Sequence, residues 1–87
     1  MENNGNDKKL MRKIADLLLG EQSKLGLTNF QMSQRLDIPL RTYNAIISGK
    51  TNFCRFETLG KILENSNITY DDIFEGIYKS KYSRKEI

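Results

Sequence analysis

At 87 residues, 38% hydrophobic and 29% charged, with a net charge of +3, the chain holds enough for one domain with a small core. It has no histidine and a single cysteine, Cys54, so the usual zinc sites, disulfides and histidine-dependent triads cannot be built within one chain. No apolar run approaches the ~18 residues of a membrane span, and the acidic, polar opening from Met1 to Asp7 is the opposite of a secretory signal.

Valine and tryptophan are absent too. Strands favour β-branched and aromatic residues, so the composition predicts an all-α fold. Residues 1–7 read as a disordered N-terminus. Leu10, Ile14, Leu17, Leu18 and Leu25 share one face of a first helix over roughly 8–24. Gly20 weakens it by about 1 kcal/mol against alanine, which predicts a bend or an early end, and Gly26 stops it. Thr28 and Gln31 form a capping box, with Met32 and Leu36 on the inner face of a short second helix.

Asp37-Ile38-Pro39 breaks that helix, and Ile38 before proline should be extended. Pro39 suits the start of a third helix, where its missing N–H costs nothing. Tyr43, Ile46 and Ile47 are spaced i, i+3, i+4 within it, and Gly49 is a left-handed terminator. Residues 50–55 form a polar loop. A fourth helix turns Phe56, Leu59, Ile62 and Leu63 inward. Thr69 with Asp72 then caps a fifth helix, whose row Tyr70, Ile73, Phe74, Ile77 and Tyr78 is the strongest periodicity in the chain. The domain is thus expected over 8–78, with a basic tail over 79–87.

Charge is unevenly spread. Residues 1–23 sum to zero, 24–56 to +4, 57–76 to −4 and the remainder to +3. A basic middle beside an acidic segment predicts one surface that attracts anions and another that does not.

Two short helices at ~29–36 and ~40–48, three residues apart, have the spacing of a helix-turn-helix. Gly26-Leu27-Thr28-Asn29, Met32, Leu36, Ile38, Tyr43, Ile46, Gly49-Lys50, Phe56 to Leu59 and Ile68 to Phe74 follow one another at spacings that resemble the lambda repressor/Cro-like family of small, XRE-type regulators. The resemblance covers about residues 8–75. It implies a compact five-helix bundle that binds double-stranded DNA, usually as a homodimer, and regulates transcription. The chain departs from the family's common pattern at several places. Asn29 stands for a phosphate-binding Gln, Asp37 for Gly, Pro39 for a Ser or Thr cap, Ile47 for a polar residue and Ser66 for a core Leu.

In such a motif the third helix enters the major groove. The residues left to face outward are Leu40, Arg41, Thr42, Asn44, Ala45 and Ser48. Of these, Arg41 is suited to guanine O6 and N7, and Asn44 to adenine N6 and N7. Thr42 and Ala45 allow close approach, and these two or Leu40 can touch a thymine methyl. Phosphate contacts are expected from Asn29, Lys50, Thr51 and Arg55, with help from the amides at the start of the second helix. The related phage repressors pair near the loop before the fourth helix and the connection after it. That matches Phe53, Phe56 and Ile68 here, while Phe30 sits at a usually polar position.

Without a visible cofactor cradle, metal set or nucleophile–base pair, the chain reads as a cytoplasmic, non-enzymatic repressor. Asp71-Asp72, the one close carboxylate pair, reads as a first-turn charge. The competing reading keeps the fold and assigns a protein partner, as in an antitoxin or adaptor, served by the acidic fourth and fifth helices and by Phe30.

Overall fold

Periodicity, caps and breakers place four helices along the chain: α1 (Glu2–Leu25), α2 (Asn29–Leu36), α3 (Leu40–Ile47) and α4 (Phe56–Asn65). A fifth, α5, opens at residue 70. This computed structural model describes residues 2–51 and 55–75, with side chains from Lys9 onward. All regular structure among the described residues is helical. No helix among them is long and apolar enough to cross a membrane. The expectations for Phe53, Cys54, Ile77, Tyr78 and the tail over 79–87 lie outside the described residues.

Three helices end in one way. Beyond α1, the Gly26 amide donates to Ser23 O and the Leu27 amide to Gln22 O. Beyond α2, Asp37 and Ile38 donate to Gln34 O and Ser33 O, and beyond α3, Gly49 and Lys50 donate to Ile46 O and Ala45 O. This is the paired closure that needs a left-handed residue just after the helix. Gly26, Asp37 and Gly49 supply it with φ of 69°, 63° and 78°. Asp37 is thus the non-glycine exception. Its short polar side chain tolerates that region better than most, and it also pairs with Lys61 at 3.5 Å.

The starts are equally local. Thr28 Oγ1 accepts from the Gln31 amide at 3.1 Å, and Gln31 Oε1 accepts from the Thr28 amide at 2.9 Å, which closes the expected capping box. Thr69 and Asp72 repeat it at α5, at 3.0 and 3.1 Å. Pro39 caps α3 without a side-chain bond.

Ile14, Leu18, Met32, Leu36, Tyr43, Ile62 and Ile73 are fully buried in one core, with Met11, Ala15, Ile38, Ile46 and Ile68 beside them. α3 packs on both α1 and α2, and α4 packs on α2. Polar ties cross between elements. Glu21 pairs with Arg35 at 3.5 Å and accepts from the Asn67 amide at 3.1 Å. Asn65 Nδ2 donates to Leu36 O at 3.0 Å.

Several expectations are corrected. α1 begins at Glu2, earlier than the start near residue 8 that the apolar periodicity marks. It runs through Gly20 without ending. Leu25, in its last turn, and Tyr70, in the first turn of α5, are exposed instead of inward. Phe56 is 84% exposed, because the core row of α4 centres on Ile62, two turns on, and the first residue overhangs it. Ile68, expected at a subunit contact, is buried in the monomer core. Ser66 closes α4: its hydroxyl donates to Ile62 O and accepts from the Ile68 amide.

Candidate nucleic-acid interface

α3 is amphipathic over only two turns. Tyr43 and Ile46 go inward, and Ile47 is half-buried. Leu40, Arg41 and Asn44 are exposed, with Thr42 and Ala45 half-buried beside them. The helix therefore stands as a ridge between two concave surfaces.

The concavity towards α2 is lined by Asn29, Leu40, Arg41, Asn44, Ala45 and Lys50, among others. The one towards α4 includes Arg41, Thr42, Ala45, Thr51 and Arg55. Arg41 and Ala45 belong to both. Every residue expected to meet a base or a phosphate thus lines this ridge or its flanks. The α4 wall adds Glu57, Thr58 and Lys61, which the sequence reading did not single out. Among the described residues lining these two surfaces Glu57 is the one acid, against Arg41, Lys50, Arg55 and Lys61, the last paired with Asp37. Such a balance favours an anion along the ridge.

Asn29 opens α2 and is fastened on both sides. Its Oδ1 accepts from Gln22 Nε2 at 2.8 Å, and its Nδ2 donates to Asn44 Oδ1 at 3.1 Å. Gln22 in turn accepts from the Tyr43 hydroxyl. Tyr43 is fully buried. Burial, aided by the negative charge of Glu21, pushes its hydroxyl up from 10.0 to about 12, so it stays protonated at neutral pH. Gln22 was missed by the sequence reading. The signal was its place in the row Ile14, Leu18, Gln22, where an amide continues the buried stripe of α1 at i+4 spacing.

Of the residues expected to pair subunits, Phe56 has free surface and Ile68 does not. Phe30, on α2, is 54% exposed. No protein-family model, curated protein or solved structure matches this chain.

Proposed function

We propose that the chain is a sequence-specific DNA-binding regulator of the helix-turn-helix type, acting as a repressor through occupancy of its site. The observation that carries this reading is the ridge of α3. The side chains chosen for base contact stand along it, and Asn29, Lys50, Thr51 and Arg55 flank it on both sides. Arg41, near the start of the helix, is the principal base reader, because the first turns of a recognition helix meet the base edges. The flanking groups fix register on the phosphates and carry no sequence information themselves.

One short helix reads few base pairs, so selectivity calls for two. A twofold dimer would set its recognition helices ~34 Å apart, one turn of DNA. Exposed Phe56 is the apolar group offered for that pairing.

The exposed ring of Phe30 favours a second reading, in which the same fold binds a protein, as an antitoxin or adaptor does. The test is the salt dependence of binding to a labelled duplex, followed by fluorescence anisotropy. A dimer that neutralises about eight phosphates should show log K falling with log salt at a slope of roughly −7. A protein that leaves the duplex free even at low salt would contradict the DNA reading and favour the second one.

A further inference from the structure

Tyr43, Gln22, Asn29 and Asn44 form a chain of hydrogen bonds that runs from the core to the exposed face of α3. Each amide has one donor end and one acceptor end, so the direction of one bond fixes the next. The chain has a defined start. The Tyr43 hydroxyl has one hydrogen and is buried, and it donates to Gln22 Oε1. Reversing the chain would make that hydroxyl an acceptor and strand its hydrogen in the core, at the cost of an unmade buried bond. No buried side-chain polar atom among the described residues lacks a partner.

With the Tyr43 proton on Gln22 Oε1, Gln22 Nε2 must donate to Asn29 Oδ1. Asn29 Nδ2 must then donate to Asn44 Oδ1. Asn44 Oδ1 is turned towards α2, and no hydrogen bond among the described residues uses Asn44 Nδ2. We infer that Tyr43 and Gln22 are positioning residues that set the amide of Asn44 with its N–H donors outward, so that Asn44 selects a base edge that accepts.

This rests on the DNA reading proposed above and narrows it. Pairing an asparagine amide with adenine needs its oxygen and nitrogen outward together. Asn44 Oδ1 can accept a second bond, but its bond to Asn29 turns it towards α2 and away from the outward side of the Nδ2 donors. The matching edges are guanine N7 and O6 or thymine O4, which only accept. On this inference Asn44 favours guanine or thymine over the adenine that its residue type alone suggests.

Two variants test the relay. Gln22→Glu replaces the amide with a group that only accepts. Asn29 must then turn to donate to it, and Asn44 must donate to Asn29 and face its oxygen outward. Tyr43→Phe removes the hydrogen that sets the direction and keeps the ring, so both directions become available.

The first readout needs no DNA: hydrogen exchange of the side-chain amides by NMR. In the unaltered protein, Asn29 should be slowed and Asn44 should exchange like a free amide. Gln22→Glu should slow Asn44 by several-fold. A slowed Asn44 in the unaltered protein, or no change in Gln22→Glu, overturns the relay.

The second readout is selection from random duplex DNA. The unaltered protein should prefer guanine or thymine at the base facing Asn44. Gln22→Glu should move that preference by about tenfold towards a donor-bearing base, adenine or cytosine. Tyr43→Phe should flatten it. Adenine preferred by the unaltered protein and by Gln22→Glu alike overturns the specificity role. A pool that yields no motif overturns the DNA reading, and the exchange pattern still judges the relay by itself.

Discussion

Replacing Arg41 with alanine should weaken specific DNA binding by about 30-fold or more and leave the fold unchanged. A guanidinium paired with guanine is worth ~1–3 kcal/mol of discrimination. A twofold dimer loses two of them, so the sum reaches at least about 2 kcal/mol. Arg41 is exposed and lines both concavities beside α3. No hydrogen bond or ion pair among the described residues uses its side chain, so its loss should change unfolding by less than about 0.5 kcal/mol. Anisotropy on a selected site and on a random duplex checks the first part, and a urea titration checks the second. The same substitution should spare binding to a protein partner under the adaptor reading. A variant that still discriminates the selected site from the random duplex would show that Arg41 reads no base.

Leu36→Ala should have the largest effect on stability. Leu36 closes α2 immediately before the turn to α3 and is fully buried among core residues of several helices. Its carbonyl also takes the Asn65 amide from α4 at 3.0 Å. Truncating a buried leucine costs ~2–5 kcal/mol, because the cavity adds to the lost transfer energy. Small domains hold about 5–15 kcal/mol in total, and a chain this short buries a smaller share of its surface than a large one. The variant should therefore be largely unfolded near 37 °C, as read by circular dichroism. A loss under about 1 kcal/mol would mean that the join between α2 and α3 collapses freely around the cavity.

What the sequence made legible was local. The box at Thr28 and Gln31, the cap at Thr69 and Asp72 and the stops at Gly26, Asp37 and Gly49 each join groups within about one helical turn. Such pairs report on themselves whatever the rest of the chain does. The inner faces of α2 and α3 were legible for a related reason, since spacing alone chose Met32, Leu36, Tyr43 and Ile46.

Errors arose where a helix leaves the core. Leu25 and Phe56 both keep the period of a buried row and lie at helix ends, past the neighbours that would cover them. Periodicity gives a direction and says nothing of how far the opposing surface extends. The polar ties were hidden by distance along the chain. Tyr43 meets Gln22 across 21 residues, and Asn67 meets Glu21 across 46. Read alone, Gln22 is an ordinary polar residue. Its role exists only once α1, α2 and α3 are packed together. The candidate site was legible in membership, because α3's outward residues follow from its inward ones. It was not legible in the state of Asn44, which depends on that packing.

The most direct test of the central claim is selection of sites by the unaltered protein from a random pool of duplex DNA at about 0.15 M salt. A dimeric regulator that reads through α3 predicts a twofold-related motif with half-sites about one helical turn apart. Recovery of no motif, with only salt-sensitive general binding, would contradict sequence reading by this chain.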